Sequence, residues 1–98
     1  MKAKVLSLLG LCQRANLLVS GENFSLEKIK NNKAKLVFLA SDAGINTTKR
    51  IKDKANFYNI FVIDKYSTEE LSKAIGKINR KVIAIIDDGF ARKIMDLL

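Results

Sequence analysis

The 98-residue chain has no histidine, no proline and a single cysteine, Cys12. Without histidine, the usual zinc, haem and acid–base constellations lose their most common member, and no metal or cofactor site is expected. A lone cysteine forms no internal disulfide, which fits a reducing cytoplasm. Cys12 also falls on the apolar side of the first helical stretch, the place of a small core residue and not of a reactive thiol. No linker, repeat or low-complexity tract interrupts the chain, so residues 1–98 are expected to form one domain. Nor is there an apolar span of about 20 residues to cross a membrane. The opening MKAKVLSLLGLCQRAN is broken by Ser7, Gly10 and Gln13 and lacks a small-residue cleavage site, so it reads as an amphipathic helix, not a signal peptide.

What the chain does have is apolar residues and positive charge. Hydrophobic residues make up 48%, enough to build a core without metal or disulfide staples. Eighteen Lys and Arg against ten Asp and Glu leave a net charge of +8, which on so small a surface calls for a polyanionic partner. With no membrane-seeking element, that partner is expected to be nucleic acid.

Val5, Leu9 and Cys12 recur at helical spacing and predict a helix over residues 2–15. A short apolar run at Leu17 to Val19 ends at Ser20 and Gly21, and Leu26 with Ile29 marks a second helix closing near Asn31 and Asn32. Leu36 to Ala40 is continuously apolar, as expected of a strand covered on both faces. Asn46 is the expected N-cap of a third helix that turns Ile51, Ala55 and Tyr58 inward. Ile60 to Ile63 predicts a strand, Glu69 to Ile75 a helix stopped by Gly76, Val82 to Ile86 a strand, and Asp87 to Gly89 the start of a last helix. A helix followed by alternating strands and helices implies a sheet between helical layers.

Three candidate sites arise. Asp42, Asp64 and Asp87 each follow a strand; in a fully parallel sheet they would converge and hold magnesium for phosphoryl transfer. The alternative is that they start turns and cap helices, and that a mixed sheet separates them. Gly21, between a strand and a helix, is either a permissive turn or a place where backbone amides meet a phosphate. The basic groups Lys28 to Lys35, Lys49 to Lys54 and Lys77 to Lys81 are solvated faces or phosphate contacts.

The segments SGENFSLEKI, AKLVFLASD, LSKAIG and VIAIID resemble the kink-turn RNA-binding ribosomal proteins, the L-seven-Ae and L-thirty-e group, over nearly the whole chain. LLGLCQRANLLVSGE and DDGFARKI resemble its small bacterial, YlxQ-type branch. The resemblance implies a three-layer α/β/α sandwich with a four-stranded mixed sheet, and a noncatalytic, monomeric protein that binds structured RNA, ribosomal RNA or the ribosome above all. It implies that Ser20 and Gly21 lead into a helix whose Asn23 enters the groove beside sheared G·A pairs. An Asn amide both donates and accepts, as reading a guanine edge requires. Two positions depart from the family pattern: Phe24 stands where it has glutamate and Glu27 where it has lysine. Lys28 is next to the second, but about 100° round the helix. The resemblance assigns a second contact to the loop Lys77, Ile78, Asn79 and Arg80, with Ile78 against a flipped nucleotide and the cations on phosphate. If the departures remove kink-turn selectivity, a module binding RNA by charge and shape, or binding a protein, remains.

Overall fold

Residues Leu36–Leu39 and Val82–Ile85 are buried at every position, and they form the middle of the sheet. The computed structural model describes residues 2–98. In chain order the elements are α1 (Lys2–Arg14), β1 (Leu18–Ser20), α2 (Glu22–Lys30), β2 (Leu36–Leu39), α3 (Ile45–Phe57), β3 (Val62–Ile63), α4 (Thr68–Ile75), β4 (Val82–Ile85) and α5 (Asp88–Asp96). The spatial strand order is β1-β4-β2-β3. β4 is antiparallel to both of its neighbours, and β2 is parallel to β3. The sheet is therefore mixed, with β1, β2 and β3 all ending at the edge where β4 begins.

Strand alternation divides the core into two layers. Leu36 and Phe38 of β2, with Ile83 and Ile85 of β4, face α1, α4 and α5, where Leu9, Leu71 and Ile94 meet them. Val37, Leu39, Val82 and Ala84 face α2 and α3, meeting Ile29 and Ile51. The register Phe38↔Ile83 and Val37↔Ala84 keeps each set on its own side. Cys12 is buried in the first layer, and burial, with Asp87 nearby, pushes its thiol up to about 11. It is the inert core residue its spacing implies.

With no proline and five glycines, the chain ends its helices another way. Asn16, Asn32 and Asn59 take left-handed backbone at φ 60, 61 and 59° just past α1, α2 and α3, and Gly76 does the same past α4 at 70°. In each case the next amide reaches back to close the last turn. Leu17 N–H donates to Cys12, Lys33 to Lys28, Ile60 to Ala55 and Lys77 to Ser72, all within 2.8–3.0 Å. These are Schellman closures, with asparagine in three of the places usually held by glycine.

Two expectations are corrected. Asn46 does not cap α3: Gly44 holds that position in extended backbone, the helix begins at Ile45, and Thr48 N–H bonds the Gly44 carbonyl at 2.9 Å. The third strand is only Val62–Ile63, because Ile60 is occupied in closing α3.

Candidate nucleic-acid interface

The β1–α2, β2–α3, β3–α4 and α4–β4 connections all lie at one edge of the sheet, a consequence of β4 running against the other strands. Gly21 is at the centre of this edge. Its N–H extends the ladder to the Val82 carbonyl at 2.8 Å, while φ 102° and ψ 150° turn the chain sharply into α2. That conformation is essentially restricted to glycine. Space is not the reason, since a Cβ there would stand 3.9 Å from both Arg80 Nη1 and the Phe24 ring. Those two contacts also show that Arg80 and Phe24 flank the turn.

Arg80 joins the two halves of the edge. Its Nη1 donates to Ser20 Oγ at 3.1 Å. Its backbone is clamped by the buried Ser72 of α4, whose Oγ accepts the Arg80 N–H at 2.8 Å and donates to the Arg80 carbonyl at 3.3 Å. The guanidinium thus bridges β1 to the α4–β4 loop with part of its donor fork still open. Upstream, Ile78 is 88% exposed and Phe24 across the edge is 64% exposed, so two apolar groups flank a fixed cation. Asn79 is in left-handed backbone at φ 54° and its Oδ1 accepts from Lys81 Nζ at 3.0 Å, while Lys77 is exposed.

Not every expected residue joins this cluster. Asn23 is exposed in the first turn of α2, where the sequence places it. Glu27 and the half-buried Lys28 lie one turn further along the helix, about 6 Å down its axis. Glu27 shares the stripe of Asn23, and Lys28 that of Phe24. The cation next in sequence to Glu27 therefore does not take over its place on the helix surface.

The edge also holds residues the sequence did not single out. Glu22 accepts from Thr47 Oγ1 at 2.9 Å and pairs with Arg50, tying the start of α2 to α3. The Arg50 hydrogen bond, helped by Thr47, holds the Glu22 carboxyl below its ordinary range. Ile45, 84% exposed, opens α3 at the same edge. The only sequence signal for any of them is Arg50's place in a basic run. The pairing of α2 with α3 comes from both helices crossing the same sheet face.

The three aspartates do not converge. Asp42 and Asp64 follow strands ending at this edge, whereas Asp87 follows β4 at the opposite one. Each also has a structural partner. Asp42 Oδ1 accepts from Thr68 N–H and Oγ1 at 2.9 and 2.7 Å, Asp64 pairs with Lys52 at 3.0 Å, and Asp87 caps α5 through Phe90 N–H at 2.9 Å. The Thr68 bonds hold the Asp42 carboxyl low, and Lys52 does the same for Asp64. The magnesium arrangement is thus overturned by strand direction, and the turn-and-cap alternative holds. Among the described residues no helix is long and apolar enough to cross a membrane.

An antiparallel fourth strand inside a parallel set, with a glycine-specific turn entering α2 beside a cationic loop, makes this an α/β domain of mixed sheet with its candidate site at one strand edge. Residues 3–95 match the model of the ribosomal protein L7Ae/L30e/S12e/Gadd45 family, and the chain belongs to that family. It is 42% identical over 97 residues to the RNA-binding protein YlxQ of Enterococcus faecium, covering 99% of this chain and 93% of that protein. It is 45% identical over 91 residues to the RNA-binding protein YlxQ of Bacillus subtilis strain 168, covering 93% and 91%. Among solved structures, a Bacillus halodurans protein of unknown function superposes with a TM-score of 0.93 at 45% identity, over 97% of this chain and 96% of that one. The Giardia lamblia 15.5kD RNA binding protein shares the fold, with a TM-score of 0.86 at 19% identity over 97% and 82%.

Proposed function

We propose that this chain is a noncatalytic, single-domain RNA-binding protein of the cytoplasm that acts as a monomer and stabilises a bent, kink-turn-like element, with ribosomal RNA as the partner class. The observation that carries the reading is the Gly21 turn, flanked by Arg80 and Phe24 and opening directly onto Asn23. In support, Asn23, whose amide can read a base, Arg80, whose guanidinium can bind phosphate, and the exposed Phe24 and Ile78 share one edge, the combination that splayed RNA requires. The net charge of +8 supplies the salt-dependent share of the affinity. The two YlxQ relatives, named as RNA-binding proteins, support the same partner.

A second reading is favoured by one observation: the Glu27 carboxylate shares the stripe of Asn23, so an anion stands on the helix face that would approach phosphate. On that reading the edge holds RNA by shape and charge without kink-turn selectivity. Titration against a kink-turn RNA, and against the same RNA with its G·A pairs replaced, separates the two at one near-physiological salt concentration. A preference of about tenfold, near 1.4 kcal/mol, is expected for the intact motif. Asn23→Ala should remove that preference while Arg80→Ala weakens both RNAs. Equal binding of the two RNAs by the native protein would leave the charge-and-shape module.

A further inference from the structure

The edge opposite Gly21 is also cationic. There α2 ends in Lys30, and the turn to β2 carries Lys33 and Lys35, all three exposed. From Lys28 to Ser41 the chain has no acidic residue, and among the described residues none of these three lysines forms an ion pair. Lys35 lines a cleft of 520 Å³ between the α2–β2 turn, the α3–β3 turn and α5, within the size that holds a small planar group, and Lys30 and Lys33 lie on the same turn beside it. The residues lining it include Asn32, Asn59, Arg92, Asp88, Asp96 and Met95, which is 43% exposed. This lining mixes amide, guanidinium and carboxylate side chains with the apolar Ala34, Ile60 and Ala91, a set that can match both the donors and acceptors and the face of a base.

We infer that this far edge is a second RNA-contact face, which takes a single-stranded segment with phosphates along Lys30, Lys33 and Lys35 and a base in the adjoining cleft. Two features select a single strand. The cleft has the volume for a base but is a local concavity and not a surface shaped to a duplex, and its polar groups can serve only a base whose edge is unpaired. The protein measures 28 × 25 × 23 Å, and the two faces lie at opposite ends of its strands. They point away from one another, so one short straight helix cannot occupy both, and the protein would join two RNA segments. This rests on the RNA-binding reading above but uses none of its residues.

The test is a titration of a fluorescent 12-nucleotide unstructured RNA against the native protein and the variant K30Q/K33Q/K35Q. Three exposed substitutions leave the core intact, which circular dichroism checks. The variant should bind the 12-mer roughly tenfold or more weakly, with a logarithmic salt slope smaller by about 2, as expected for three lost single-strand phosphate contacts. Its affinity for the kink-turn RNA should change by less than about twofold, and saturating kink-turn RNA should not displace the 12-mer from the native protein. Equal 12-mer binding by native and variant protein overturns the proposal and leaves the lysine row to an acidic protein surface. Full displacement by kink-turn RNA overturns it as well, because one face then serves both. Lysine-dependent 12-mer binding without kink-turn recognition would sink the earlier reading and uphold this one.

Discussion

The two helical layers are built unequally. Among the described residues, the layer of α1, α4 and α5 joins a cluster of fifteen buried residues, while that of α2 and α3 joins seven. Yet Gly21, Asn23, Phe24, the Glu22–Arg50 tie and exposed Ile45 all belong to the thinner side. The larger buried cluster lies on the side that contributes Arg80, through the α4–β4 loop, while most residues around the Gly21 turn sit on the layer with fewer buried side chains to disturb. Two buried serines show the same contrast. Ser72 on the thicker side makes two hydrogen bonds to Arg80, whereas Ser25 of α2 has no partner for its Oγ among the described residues.

The contrast can be broken most directly at Phe38, the largest fully buried side chain, which faces the thicker layer. Phe38→Ala should cost about 3–5 kcal/mol in a denaturant titration. A loss no greater than that of Val37→Ala on the other sheet face would show that the layers do not differ. Gly21→Ala comes next, at about 1–3 kcal/mol, because the new Cβ fits the space but not the backbone. It should also weaken RNA binding, and an alanine variant of native stability would remove the strain argument.

Ser72→Ala should cost about 1–2 kcal/mol and lower RNA affinity through Arg80 without touching the surface. Unchanged affinity at saturating folded protein would show that the loop holds Arg80 by itself. The smallest effect has the opposite sign. Ser25→Ala removes a buried hydroxyl with no partner among the described residues and should raise stability by about 1 kcal/mol, read as a higher midpoint at unchanged slope. A loss there would mean that Ser25 is satisfied in solution.

The helices were legible because Val5, Leu9 and Cys12, or Ile51 and Ala55, repeat at a period only a helix explains, and β2 and β4 because continuous apolar runs demand cover on both faces. Strand direction was not legible from the residues themselves; the mixed sheet was expected through the family resemblance alone. Nothing in Val82–Ile85 says that it enters between β1 and β2 and runs against them, and that one fact scatters the aspartates. Helix caps were partly legible: Gly76 stops α4 as its residue type implies, but Asn46 loses its place to Gly44. At the site, Gly21 and Arg80 could be marked from sequence. Ser72 and Glu22 could not, because each acts on a partner that the fold, and not the local sequence, brings to it.

The brevity of the outer strands bears on how copies of the molecule treat one another in a crowded solution. β1 has three residues and β3 two, so both open flanks of the sheet offer only a stub of unpaired backbone. Such a stub is a poor template for a neighbour's strand, and the charged Asp64 and Lys65 directly after β3 discourage it further. A protein whose interior strands are as apolar as Leu36–Leu39 and Val82–Ile85 is thereby shielded from sheet-to-sheet aggregation even when it is concentrated along a polyanion.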